Sequence, residues 1–291
     1  MPDHAEFQQS ILQYYPHLHN RQYLDEVFHS VERTVFDRSI VELLCSENAE
    51  YFGNTCLFIR DLVLLGPKPE ECESLEQFCG PSVVSTLEDF TTAPNHHRRS
   101  QAIYTLGKIG SKSSLPALRR TFQAQFEKDP LLLPGLLFEI FWLEEKEDAA
   151  LIEEAAVSAQ YLTRWAILDV LDKRPSPEDL ASPEWQLRVL VYARLLEDPH
   201  ARVRAEAEYQ HALLDFEAQY LRAVAEGTTD SAETSKAVRR AARREIERRR
   251  PSLCFADLEV RFYNHLHNRA SDDYTVSELD EFVRSYSIKT P

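Results

Sequence analysis

The stretch AIYTLGKIGSKSSLPALRRTF, residues 102–122, predicts a helix, a short turn and a second helix. In its first half, apolar side chains recur at helical spacing, at Ala102, Ile103, Leu106 and Ile109. Gly110 is the residue type that commonly ends a helix in a left-handed conformation. Ser114 is expected to cap the second helix, with Pro116 in its first turn. Because the turn between them is so short, the two apolar helices are predicted to form a hairpin.

Similar start signals recur further along the chain. Three dipeptides place a capping side chain directly before a proline, which is tolerated at the first position of a helix. They are Asp129-Pro130, Ser182-Pro183 and Asp198-Pro199. Each is therefore predicted to mark the start of a helix.

The hydrophobic centres of the predicted helices recur at separations of 34, 28 and 37 residues, near Leu106, Ile140, Leu168 and Ala205. This range is typical of degenerate repeats that contain two helices each. We therefore predict an all-α fold, an α-solenoid of antiparallel helix pairs. A non-repetitive helical bundle is the alternative, and it requires the spacing to be coincidental.

Two segments carry a resemblance to a known family. TLGKIGSKSSLPALRRTF at 105–122 is similar to HEAT repeats, in particular the short type of the phycobilisome lyases. EDPHARVRAEA at 197–207 resembles the Asp-Pro, Val-Arg and alanine pattern that opens HEAT helices. The resemblance covers about residues 95–225 and implies a HEAT-like superhelix.

The remaining parts of the chain are predicted to be helical segments that flank these repeats. Residues 1–94 form an N-terminal helical region, either diverged repeats or a cap. Residues 226–291 form a C-terminal helical cap with a basic helix at 235–250 that ends at Pro251. Thr275 and Glu278 are spaced as a capping box at the start of the last helix.

Composition favours a helical protein of the cytoplasm. The chain has 43% hydrophobic residues and only seven glycines. Its five cysteines include no CxxC pair, which favours reduced thiols over disulfides or a zinc site. The polar opening MPDHAEFQQ does not resemble a secretory leader. The longest apolar run, 131–143, is too short to cross a bilayer, so no membrane partner is expected.

The net charge of −15 is distributed unevenly. Residues 1–97 carry a net −11 and residues 131–185 a net −8, whereas residues 98–130 carry +5 and residues 227–250 carry +4. An acidic protein repels nucleic acid at long range and attracts basic partners. We therefore expect the partner to be another protein with a basic surface, with nucleic acid as the less favoured alternative.

The basic helix contains the first candidate site. Its arginines at 239 and 243, and at 240 and 244, lie four residues apart, so much of their charge falls on one face. Such a face suits phosphates or acidic side chains. The candidate contacts are Arg239, Arg240, Arg243 and Arg244. The competing interpretation is a surface helix neutralised by acidic neighbours in the same chain.

A second basic cluster precedes the hairpin. Arg98 and Arg99 lie at the predicted start of its first helix, where an anion can dock on unpaired amides, while Arg119 and Arg120 lie on the second helix. Arg98 and Arg99 are therefore further candidates for contact with an anion or a partner. Ordinary exposed charge at the edge of a repeat is the competing interpretation.

Two other features are ambiguous. The pentapeptide HLHNR occurs at 17–21 and again at 265–269, and its histidines suggest either metal binding or helix ends. On a helix, alternate histidines diverge, so metal binding is the weaker hypothesis. Several aromatic side chains fall in apolar helix patterns and are predicted to pack in the core. They are Phe138, Phe141, Trp142, Trp165 and Trp185.

No common catalytic motif supports an enzyme. The chain lacks GxxxxGK[ST], GxGxxG, HExxH and GxSxG, so we predict no catalytic residue, no cofactor and no metal. The predicted function is a non-enzymatic protein interaction scaffold, such as an adaptor, an assembly factor or an immunity-type inhibitor. One alternative, implied only by the family resemblance, is a bilin lyase-like factor that handles pigment. Another is nucleic-acid binding through the arginine-rich helix 235–250.

Overall fold

The computed structural model of the chain describes residues 4–66, 79–173, 179–226, 233–269 and 273–286, without the side chains of residues 225 and 233–239. Within these ranges the protein contains fifteen α-helices and no strand, which confirms the all-α class. Two short 3-10 turns, Tyr15–His17 and Lys112–Ser114, join neighbouring helices.

The helices follow one another along the chain with short connections. In order, α1 to α8 are His4–Leu12, Arg21–His29, Arg33–Leu44, Ala49–Leu65, Pro81–Phe90, His96–Ile109, Leu115–Gln125 and Leu133–Glu144. The later helices, α9 to α15, are Ala149–Ala156, Tyr161–Asp172, Pro183–Leu196, Ala201–Ala225, Glu233–Glu247, Phe255–Asn268 and Val276–Ser285.

The predicted helix, short turn and second helix are present as α6, the 3-10 turn and α7. Gly110 adopts a left-handed conformation with φ of 77°, and its amide donates to the carbonyl of Leu106. A 3-10 turn then leads directly into α7 at Leu115. The predicted cap is wrong, because the buried hydroxyl of Ser114 has no hydrogen-bond partner among the described residues. The 3-10 turn joins the two helices without a side-chain cap.

Other helix starts agree with the sequence to different degrees. Ser182 accepts a hydrogen bond from the amide of Trp185 and caps α11, and Thr275 forms the predicted capping box with Glu278. Asp198 instead binds the amide of His200 and pairs with a buried arginine, so α12 begins only at Ala201.

Two compact units make up the chain. The first contains Met1–Gln125 and Gly135–Lys146, and the second contains Phe126–Pro134 and Glu147–Pro291. The chain therefore passes from one unit to the other three times. The three sequence segments 1–94, 95–225 and 226–291 are a different division of the chain and stay a prediction.

In the first unit, aromatic rings form much of the core around α1, α3 and α4. The ring of Phe36 lies 5.6 Å from that of Phe7 and 6.4 Å from that of Phe58, and all three are buried. The buried hydroxyl of Tyr14 donates to the carboxylate of Asp61 over 2.5 Å. Polar groups in this core are thus paired where they are buried.

Helices α4, α6 and α8 of the first unit run in the same direction. Arg98 near the start of α6 lies over the ring of Phe52 near the start of α4, and further along both helices Arg60 donates to Gln101. Between α6 and α8, Gly107 faces Glu139, and Lys112 beyond the end of α6 pairs with Glu145 beyond the end of α8. In both pairs, residues with higher numbers on one helix contact residues with higher numbers on the other. This is the pattern of parallel helices.

The second unit has a core centred on Trp165 of α10. Its indole ring lies 5.7 Å from the ring of Phe255, and its N–H donates to the buried carboxylate of Glu206. The same carboxylate accepts from the amide of Phe255 and so secures the start of α14. Burial raises the pKa of Glu206 to about 8.

Candidate interaction site

Five large apolar side chains of the first unit are exposed on the three parallel helices, and four of them lie beyond the first turn of α4, whereas Tyr51 lies within it. Leu64 on α4 is 55% exposed, Tyr104 on α6 46%, and Phe138 and Trp142 on α8 are 37% and 63% exposed. We call these four residues the aromatic face. Exposed apolar side chains that lie singly are ordinary, but a contiguous set marks an interaction surface.

Helix geometry places these residues on one side of the unit. Tyr104 and Lys108 lie four apart on α6, as do the two aromatic residues of α8, so each pair shares a helix face. The two helices meet where Gly107 faces Glu139. Because the helices are parallel, both exposed pairs lie on the same side of that contact.

Two cations of the chain already stack on the centre of the aromatic face. The guanidinium of Arg60 lies 4.8 Å from the ring centroid of Tyr104, and the ammonium of Lys108 lies 4.9 Å from it. Arg60 is almost buried and also donates to Gln101, whereas the ring of Tyr104 remains half exposed. The ring of Tyr104 thus makes cation–π contacts within the chain.

A buried carboxylate lies beneath the aromatic face. Glu139 is 1% exposed and its Oε2 has no hydrogen-bond partner in the described part of the chain. Burial raises the pKa of Glu139 to about 7, against the opposing attraction of Lys108 and Arg60. The carboxylate fits only because residue 107 is glycine, since a Cβ at that position would overlap it.

The aromatic face was missed by the sequence analysis. Trp165, Trp185 and Phe141 are buried, as predicted, but the core assignment of Phe138 and Trp142 is wrong. Neither of these two side chains makes a ring or cation contact with any described residue. The reason for the error is that α8 is apolar on nearly every side, so its periodicity does not identify the exposed face. The sequence signal for the exposed face of α8 was Gly135, which lies three residues before Phe138 on the same face and is exposed in the structure.

Arg98 and Arg99 are engaged within the first unit. Arg98 donates to the carbonyls of Ser46 and Glu47 and lies over two phenylalanine rings. Arg99 is buried and donates to the carbonyls of Ala93 and Pro94. These contacts fasten the start of α6 and give no support to an anion site at this pair.

The arginine-rich helix of the second unit is exposed. Arg240 and Arg244 are exposed on α13 and have no ion-pair partner among the described residues, whereas Arg243 lies 3.6 Å from Glu247. The side chain of Arg239 lies outside the described part of the structure. The structure therefore places Arg240 and Arg244 together on one helix and assigns Arg98 and Arg99 to the other unit.

The two HLHNR segments have different local structures. In the first, His17 ends a 3-10 turn and Asn20 caps α2, with its side chain accepting from the amide of Tyr23. In the second, residues 265–268 form the last turn of α14 and Arg269 follows as its C-terminal cap. Both copies thus lie at helix ends. Within the described ranges, no cluster of three or more potential metal-binding side chains occurs.

Comparison of the chain with family models, with curated proteins and with solved structures found no match. None of the helices in the described ranges has the length and apolar character needed to traverse a bilayer.

Proposed function

We propose that the protein is a non-enzymatic interaction scaffold that binds another protein with a basic surface. The observation that carries the proposal is the aromatic face, in which Trp142 is 63% exposed beside Phe138 on α8. The contact of two large aromatic side chains with water is unfavourable in free energy, and a binding partner that buries them removes this contact. Tryptophan and tyrosine are also the side chains that most often dominate binding energy at protein interfaces.

The charge of the chain supports a basic partner. The net charge is −15, and the part of the first unit that contains Phe138 and Trp142, residues 135–146, has three glutamates and one lysine. Opposite charge steers the encounter of two proteins, and a cationic side chain of the partner can stack on the exposed indole. The ring of Tyr104 already holds Arg60 and Lys108 in this way, so the chemistry has a precedent on the same surface.

The proposed architecture is a HEAT-like α-solenoid of antiparallel helix pairs. Its support is the sequence of helix, short turn and helix at α6 and α7 and the common direction of α4, α6 and α8 in the first unit. In a solenoid, every second helix lies on the same surface and neighbouring repeats add to it. The aromatic face has this character, since it takes its residues from three alternate helices.

The proposal is tested by capture and then by titration. Tagged protein is used to purify partners from its native source, and the affinity of each identified partner is measured with purified components. We expect Trp142→Ala to weaken binding of the partner by about 2 kcal/mol, which raises the Kd roughly thirtyfold, because the substitution removes the exposed indole ring from the interface. We also expect the affinity to fall as salt rises.

Tyr15→Ala supplies the matched control, because Tyr15 is an exposed aromatic residue of the same unit that lies outside the aromatic face. A partner that binds both variants and the wild type equally would contradict the assignment of this surface. An acidic partner would contradict the proposed chemistry.

A further inference from the structure

Helix α13 of the second unit carries exposed arginine side chains that are not part of the aromatic face. Arg240 and Arg244 lie one turn apart, and both are exposed. We call these two residues the arginine ridge. Their guanidinium groups project from the same helix face, separated by about 6 Å along the helix axis.

Arg243 and Arg248 differ from the ridge in having carboxylate partners, whereas exposed Arg249 has none among the described residues. Arg248 pairs with Glu245 over 2.6 Å, and Arg243 lies 3.6 Å from Glu247. Glu247 also accepts a hydrogen bond from the hydroxyl of Tyr209 on α12, so its carboxylate is held against the unit. Among the described residues, the ridge arginines have no such partner. Their ten N–H donors are available in a chain that is otherwise acidic.

We propose that the arginine ridge binds an acidic segment of a partner protein, with carboxylates one helical turn apart. Guanidinium groups bind carboxylates through two parallel hydrogen bonds, and the repeat of about 6 Å on α13 matches Glu or Asp side chains spaced i, i+4 on a helix. Two such pairs fix both the position and the orientation of the bound segment.

The ridge suits an acidic protein segment better than a nucleic acid. Glu245 and Glu247 interrupt the row of arginines and would repel a continuous line of phosphates. The net charge of −15 opposes the approach of a dense polyanion. Residues 240–250 also contain no aromatic side chain on which a base could stack. A peptide with a few discrete carboxylates needs no stacking platform, can place its charges away from Glu245 and Glu247, and is repelled less by the net charge than a dense polyanion.

This surface is separate from the proposed function. The aromatic face belongs to the first unit and is proposed to bind a basic partner, whereas the arginine ridge belongs to the second unit and takes the opposite charge. A scaffold with both surfaces holds two partners of unlike chemistry on one chain.

The test uses full-length protein and three fluorescent probes in an anisotropy titration. The first is a helical peptide of about 20 residues with glutamates spaced i, i+4, and the second has the same composition in scrambled order. The third is single-stranded or double-stranded DNA of about 20 nucleotides. We expect the spaced peptide to bind more tightly than the scrambled one and than DNA.

The decisive variant is Arg240→Gln/Arg244→Gln, which we expect to raise the Kd for the spaced peptide at least about tenfold. Arg38→Gln/Arg284→Gln is the matched control, because it makes the same change of charge at two exposed arginines that have carboxylate partners. The proposal would be overturned by an equal loss of affinity for the spaced peptide in both variants. It would also be overturned if the spaced peptide did not bind, or if DNA bound more tightly than the spaced peptide. Circular dichroism checks that all variants remain helical.

Discussion

Burial of a single carboxylate links the stability of the first unit to pH. Glu139 has a pKa of about 7 in the folded chain, above the ordinary value of 4.5. Between these values the folded state keeps a proton that the unfolded state releases. The free energy of unfolding therefore falls as pH rises through this window, and the stabilisation is fully present only below about pH 4.5. A shift of this size corresponds to at most about 3 kcal/mol.

Replacing Glu139 by glutamine should remove this dependence. We expect Glu139→Gln to match the wild type near pH 4.5 and to be more stable by about 1–3 kcal/mol near pH 8, because the amide is never charged. Urea unfolding followed by circular dichroism at several pH values measures the difference. Glu145→Gln is the control, since Glu145 is fully exposed and its pKa is lowered by Lys112. An unchanged pH profile for Glu139→Gln would show that the carboxylate is solvated.

Gly107 is required at its position because of the same carboxylate. We expect Gly107→Ala to destabilise the protein by about 2 kcal/mol or more, since the added methyl group displaces Glu139. Gly135→Ala is the matched control on α8, where nothing lies within 4 Å of the added methyl group. There we expect a gain of about 0.5–1 kcal/mol from helix propensity. Thermal or urea unfolding measures both changes.

A double variant separates the steric cause from any other effect. Glu139→Ala together with Gly107→Ala removes the overlap, so the two changes should cost less than the sum of their separate effects. Simple additivity would mean that residue 107 is glycine for another reason.

At the level of helices, the sequence predicted elements more reliably than the faces they expose. Gly110, Ser182 and the Thr275 capping box were identified because their signals are local and act within one turn. The exposure of Trp142 depends on which neighbours cover α8, and that information is distributed over distant parts of the chain. Local chemistry therefore predicted several helix ends, with Ser114 and Asp198 as exceptions, but it did not predict the aromatic face.

Helix caps provide a prediction at this scale. The side chain of Asn95 accepts from the amide of Arg98 at the start of α6, so Asn95→Ala should cost about 0.5–2 kcal/mol. Ser114→Ala should be neutral or slightly stabilising, because the buried hydroxyl of Ser114 makes no hydrogen bond in the described structure. Chemical denaturation compares the two variants with the wild type. A larger loss for Ser114→Ala than for Asn95→Ala would contradict the assignment of caps.

At the level of the whole molecule, composition predicted the all-α class but not the division into units. Few glycines and many helix-forming residues are summed properties that a sequence displays directly. The boundaries at 125, 134 and 146 depend instead on tertiary packing. Residues 126–134 belong to the second unit, where Asp129 accepts from Tyr274 and the carbonyl of Phe126 accepts from Thr163.

These contacts predict how the second unit responds to truncation. A fragment of residues 147–291 lacks both contacts, so it should unfold at a lower denaturant concentration than a fragment of residues 126–291. Tyr274→Phe in the longer fragment should give an intermediate midpoint, because it removes the two hydrogen bonds of Tyr274 with Asp129 and Leu131 but keeps the one from Thr163 to Phe126. Equal midpoints for the two fragments would show that segment 126–134 contributes nothing to the unit.

The interrupted path of the chain also has a consequence for synthesis on the ribosome. The first unit is completed by residues 135–146, which follow a segment that belongs to the second unit. When residue 125 leaves the exit tunnel, the nascent chain still lacks α8, and the side of α6 at Gly107 has no covering helix. The first unit therefore cannot be completed before residue 146 has been translated. During that interval the side of α6 that α8 will cover is open to chaperones and to misassembly.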